Sequence, residues 1–279
     1  MTRCRAARTK RAVNTLQQTS QFLGRSLLGL LEEIGGGAIL TWRVLRVTPQ
    51  LPKTWRLTLD QMLEIGNRSM PLVFVVSVFT GAVTAVQASY QFQAWVPLIL
   101  LSSTVHRSVI IELGPVLTAL VVGGRVSASI AAELGTMKVT EQVDALEAMA
   151  IDPVRYLVLP RFWAATMMLP VITALANVLA MGGAYAVAML TVDGMTHHLF
   201  MEGVKLHFYV KDLVAGLTKA LFFGMIIAAS GSFYGLRAGG GAEGVGRATM
   251  KAVVANCLMI LVLDYFLAAV LFQMIFGGQ

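Results

Sequence analysis

Two stretches of this chain, Ser69 to Val105 and Phe162 to Val192, contain no Asp, Glu, Lys or Arg. Each is longer than the roughly 20 apolar residues that carry a helix across a bilayer. Composition points the same way. Hydrophobic residues make up 56% of the chain and charged ones 13%, about half the charge of an average soluble domain, and mean hydropathy is +0.71. The chain reads as an all-α integral membrane protein.

Five spans are predicted: Met70–Tyr90, Ser108–Ala132, Phe162–Leu190, Leu213–Leu236 and Ala252–Phe276. Trp95 and Pro97 predict a turn on the far side within residues 91–105. Residues 191–210, with His197, His198 and His207, form a far-side loop or short helix. Before the spans, Leu27, Leu31, Ile34 and Ala38 make an apolar stripe interrupted by charges, which suits a helix lying in the membrane interface. Gly35–Gly37 is expected to bend that helix, and Pro49 and Pro52 to end it.

Net charge is +7, and residues 1–56 hold ten Lys/Arg against Glu32 and Glu33. Nucleic-acid binding is one reading of such an arm. Because apolar spans follow, retention of positive charge in the cytoplasm explains it better. This puts the N-terminus in the cytoplasm and, after five spans, the C-terminus outside. Cys4 and Cys257 form no CxxC and indicate no disulfide framework. No secretory signal is visible.

Between the second and third spans lies the one long polar passage, ELGTMKVTEQVDALEAMAIDP, from Glu133 to Pro153. Val139, Val143, Leu146 and Ala150 fall on one helical stripe, with Glu141, Asp144 and Glu147 on another face. Thr140 is the expected N-cap and Asp152-Pro153 the stop, giving about three turns. A polar helix between two spans sits in water, where a soluble partner can hold it. The pattern fits equally a solvated connecting helix.

Inside the spans, small residues recur at four-residue spacing, Ala119, Gly123, Ser127, Ala131 and, alongside, Gly124, Ala128, Ala132. Such rows predict close helix packing, within a subunit or across a dimer. Glu112, Arg125, Lys219 and Asp264 are ionisable groups within or at the ends of spans, where a charge needs a partner or a wet cavity. They form either structural pairs, such as Glu112 with Lys219, or a polar lining for an amphipathic substrate. Gly239, Gly241 and Gly244 match GxGxxG but lack the strand that motif requires. The three histidines have no supporting ligand spacing, so no metal site is expected. No phosphate-binding Walker loop exists. No catalytic residue and no cofactor is expected in this chain, and any ATP hydrolysis belongs to another.

The block ELGPVLTALVVGGRVSASIAAELGTMKVTEQVDALEAMAIDPVRYLVLPRFWA, with GRATMKAVV and LDYFLAAVLF, resembles the MlaE (YrbE) permeases, membrane subunits of MCE-type ABC lipid transporters. The likeness is strongest over residues 108–170 and 246–272. It implies an interfacial helix within residues 1–56, a permease domain over 57–279 and a homodimer. It also implies cytoplasmic ABC ATPase subunits docked at Thr140–Ala150, with Thr140, Glu141, Asp144 and Glu147 as coupling residues. A periplasmic MCE-domain (MlaD-like) hexamer and, in some systems, a STAS-domain (MlaB-like) subunit complete the set. The cargo would be phospholipid moved between the inner and outer bacterial membranes. Glu112, Leu113 and Lys219 match lipid-lining positions, and Phe92 and Trp95 fall at others by spacing. Ile111 stands where a family member has arginine before the glutamate, and Arg107, one turn earlier, is expected to supply that charge.

Three rivals stay open. A small-solute ABC importer permease carries a loop faintly like Glu147-Ala148 with Leu159-Pro160. An intramembrane enzyme would use Glu112 or Asp264 as acid or base. A structural subunit would need neither Glu112 nor Lys219.

Overall fold

The computed structural model describes residues 32–91 and 97–276, with side chains through residue 273. Among these residues every regular element is helical, as lipid demands of any segment that must satisfy its own backbone. In order they are α1 (residues 32–47), a 3-10 turn Thr48–Thr54, α2 (Trp55–Gln91), α3 (Leu98–Ser108), a π turn Val109–Leu113 and α4 (Gly114–Val139). Then follow α5 (Gln142–Ala148), a second π turn Val154–Val158, α6 (Leu159–Thr191), α7 (His197–Leu206), α8 (Val210–Leu236) and α9 (Gly241–Phe276). Five helical stretches are long and apolar enough to cross a membrane.

The helix α4 is central and touches α2, α6, α8 and α9, while α2 and α6 form the most extensive pair. Glycine makes that pair possible. A Cβ on Gly81 would lie 1.7 Å from the Ala180 carbonyl oxygen, and one on Gly183 would lie 2.2 Å from that of Val78. The two backbones therefore touch, the arrangement small residues permit in lipid. The first small row of α4 serves the same end. Ala119, Gly123, Ser127 and Ala131 are all buried, Gly123 against Ile227 of α8 and Asn256 of α9.

Both π turns sit just before a proline. Pro115 and Pro160 lack an N–H, and each ring crowds the carbonyl four residues back. Widening the helix by one residue relieves this: Gly114 N–H bonds Val109 O and Leu159 N–H bonds Val154 O. Neither helix breaks.

Several boundaries differ from expectation. The second span begins at Leu98 and runs with α4 as one helical stretch to Val139, so residues 98–105 are helix rather than turn. Its N-terminal part, α3, is held by a separate apolar cluster in which Leu101, Val105 and Phe200 of α7 are buried. Helix α1 runs through Gly35–Gly37 without interruption. Gly36 instead seats α1 on α8, for its Cβ would meet Phe233 at 2.6 Å. The glycine-rich stretch 239–246 is mostly the start of α9, with left-handed backbone at Gly240 and Gly241. Ile34, Ile39 and Trp42 on α1 are exposed.

Candidate functional site

The ELGP sequence has a separate task at each residue. Pro115 imposes the π turn. Gly114 receives Asn177 of α6, whose Oδ1 would lie 1.8 Å from a Cβ there. On the opposite side Gly216 of α8 closes on the same turn, with its Cβ position 2.3 Å from Ile110 O. One turn further along α8 stands Lys219, so this close approach brings its ammonium within reach of Glu112.

Lys219 donates to Glu112 Oε2 at 2.6 Å and to Asp264 Oδ1 of α9 at 3.0 Å. Three helices thus meet at one charged triad. Its members are unequally covered: side-chain exposure is 1% for Lys219, 38% for Glu112 and 21% for Asp264. The ammonium lies within the protein and the carboxylates lie on its open side. Removing ions from water costs several kcal/mol each, so such a group persists only when paired.

The open side follows α4. Leu113, Val116, Leu120, Gly124, Ala128 and Ala132 are all only partly buried, and nothing approaches the Cβ position of Gly124. The second small row therefore lines a face that the protomer covers only in part, with the triad at one end.

Arg125 and Arg107, grouped with these charges by sequence, lie elsewhere. Arg125 donates to Ser69 Oγ at 2.7 Å and Ile65 O at 3.1 Å, bracing α4 on α2. Arg107 donates through Nε to Asp212 Oδ2 at 3.0 Å and tethers α3 to the start of α8. Phe92 and Trp95 lie outside the described residues. The histidines face separate partners: His197 meets Tyr185, His198 meets Glu202 and His207 meets Ser103.

At the other end of α4, the polar passage folds more tightly than its pattern suggests. The helix is Gln142–Ala148, two turns rather than three. Thr140 is not its cap, because its hydroxyl bonds back to Thr136 O at 2.8 Å and so closes α4. Glu141, at φ 62°, occupies the N-cap position. The end is set before Asp152-Pro153: Ala150 turns left-handed at φ 57°, Ala150 N–H bonds Glu147 O and Ile151 N–H bonds Leu146 O. This is a Schellman closure with alanine where glycine is usual. Asp152 starts the next segment, its Oδ1 accepting from Val154 N–H at 3.0 Å.

Val143 anchors α5 in the core at 3% exposure. Glu141, Asp144 and Glu147 are exposed, as are Met149, Ile151 and Tyr156 beyond them. Asp144 already holds Lys138. Beneath the loop, Arg161 is buried and bridges Glu133 at 3.0 Å and Leu157 O at 2.8 Å. The signal for this bridge in the sequence is the pairing of an acid, Glu133, at the end of one span with a cation, Arg161, at the start of the next.

A family model described as Permease MlaE matches residues 58–270. The chain belongs to the MlaE permease family. A probable ABC transporter permease protein of Rickettsia typhi is 35% identical over 258 residues, covering 92% of this chain and 99% of the relative. The intermembrane phospholipid transport system permease protein MlaE of Haemophilus influenzae is 31% identical over 252 residues, covering 90% and 96%. A chloroplastic protein of Arabidopsis thaliana, TRIGALACTOSYLDIACYLGLYCEROL 1, is 32% identical over 219 residues, covering 78% of this chain and 62% of its own. The MlaE match spans α2 to α9, including the triad and the α5 loop. Membership and the five apolar stretches make this a multi-pass membrane protein of the ABC permease kind.

Proposed function

We propose that this chain is the permease subunit of an ATP-driven phospholipid transporter working between the inner and outer membranes of a bacterium. The observation that carries the reading is the triad's placement. Partly exposed carboxylates on an otherwise apolar helix bundle cannot face lipid tails at low cost. They need a wet, enclosed space. Two copies meeting along the partly covered face of α4 would enclose one, apolar enough for acyl chains and charged at one level for a headgroup. The name carried by the Haemophilus influenzae relative supports phospholipid as cargo.

In this reading α1 and the α5 loop lie on the cytoplasmic side and the C-terminus is periplasmic. A separate ABC ATPase docks on α5 and the exposed Met149, Ile151 and Tyr156, and a periplasmic MCE-domain hexamer receives the lipid. A STAS-domain subunit is an optional addition. ATP-driven closure would push through α5 and, by way of the Glu133–Arg161 bridge, move α4 and α6 together and narrow the shared space.

Gentle purification from membranes tests this, with co-purifying proteins and retained small molecules both identified by mass spectrometry. An ATPase and phospholipid are expected. A polar solute in place of lipid would support the small-solute importer instead, and the absence of any ATPase would remove the proposal. Within the assembly, Glu141→Lys with Asp144→Lys should abolish ATPase association while the permease still elutes as a folded dimer.

A further inference from the structure

We propose that the triad makes this permease selective for phospholipids bearing an ammonium group, those of the ethanolamine kind, over anionic lipids without a cation. The inference rests on the lipid-permease reading above and adds the headgroup class.

The argument starts from which charges a ligand can meet. Lys219 is 1% exposed and gives hydrogen bonds to both Glu112 and Asp264. Its ammonium is spent inside the protein and is shielded from a phosphate on the open side. What the open side presents is carboxylate, with Glu112 at 38% and Asp264 at 21% exposure. Each carboxylate accepts from Lys219 through one oxygen, Oε2 and Oδ1 respectively. One ammonium against two carboxylates also leaves one formal negative charge in surplus.

The other cations that sequence placed near this point are engaged elsewhere. Arg125 braces α2 and Arg107 holds Asp212. The residue before Glu112, where a cation would cancel that surplus, is the buried Ile111. An approaching phosphate therefore meets like charge. An ammonium meets acceptors of opposite charge in partly dry surroundings, where charge-assisted hydrogen bonds are strongest. In this arrangement the amine of a phosphatidylethanolamine meets Glu112 while its phosphate stays farther from the carboxylates.

Native mass spectrometry of the delipidated full chain, with the subunits that purify alongside it, tests the proposal. The probe is an equal mixture of phosphatidylethanolamine and phosphatidylglycerol with identical acyl chains. Wild type should retain the ethanolamine lipid about tenfold over the glycerol lipid, the ratio one charge-assisted hydrogen bond supplies. Glu112→Gln keeps an acceptor for Lys219 but removes the charge, and should bring the ratio close to one. Asp264→Asn should move it the same way by less. Unchanged melting temperature and elution volume show that both variants are folded. Equal retention by wild type, or a preference that survives Glu112→Gln as a general annular effect would, overturns the headgroup assignment and leaves the lipid-permease reading standing. Retention of neither lipid overturns that reading and this inference with it.

Discussion

Removing the Lys219 ammonium while leaving Glu112 and Asp264 in place strands two carboxylates in an apolar bundle. Lys219→Met is therefore expected to destabilise the protein by about 3–5 kcal/mol, read as a lower melting temperature in detergent. Combining it with Glu112→Gln and Asp264→Asn should recover most of that stability, since a neutral trio has no charge to bury. Lipid transport should stay lost in the triple variant. That separates the fold's need for pairing from the function's need for charge. At this scale the site was half legible. The identities Glu112, Lys219 and Asp264 stood out because ionisable residues in apolar helices are costly and must be accounted for. Their convergence did not, because it depends on Gly216 and Gly114 letting α8 and α6 close on one turn, and sequence spacing says nothing about contacts between helices. Arg125 shows the limit. It too is an ionisable residue within a span, yet it points to α2.

Elements were legible where period and composition spoke together, and less so at their ends. The spans stand close to where apolar length put them. Their boundaries moved because α3 and the start of α9 gain helical structure from packing that local pattern does not contain. The α5 loop was recognised as an exposed acidic helix, but its caps were misassigned, since Thr140 found a backbone acceptor behind it in α4. Ala150 in left-handed backbone leads to a second prediction. Ala150→Gly should remove strain of up to about 1 kcal/mol and slow amide exchange at Ile151. For the α2–α6 pair, Gly81→Val would drive a side chain into the Ala180 carbonyl. Separation of the two helices should cost at least about 1–3 kcal/mol, and the variant should elute as a looser particle with raised protease sensitivity.

For the whole molecule, the expectation concerns the partly covered face of α4. With Cys4 and Cys257 replaced by serine, Gly124→Cys or Ala128→Cys should form a disulfide between two copies in native membranes under mild oxidation. Cysteine placed at Val178 or Leu190, exposed residues on α6, should not. Dimeric bands on non-reducing gels from the α4 positions alone would map the contact, and the reverse pattern would put it on the other side of the bundle. The class of molecule was plain from the charge-free stretches. Which of its outer faces meets lipid and which meets a second copy was not, because both are apolar. Only the triad at one end of the small row tells them apart.

The π turn before Pro115 carries a further consequence for how the site tolerates change. A helix advances about 100° per residue, so the extra residue held in Val109–Leu113 sets the rotational phase of everything on its N-terminal side relative to α4. Because Pro115 still imposes the widened turn after Ile110 is deleted, the missing residue is drawn from α3, which turns by about 100° relative to α4. Arg107 would then leave Asp212, and the α7 cap would lose its seat on Leu101, although Glu112 itself would barely move. Length variation at this point in the chain is thus penalised at the membrane surface, some 15 Å from the residue that was removed.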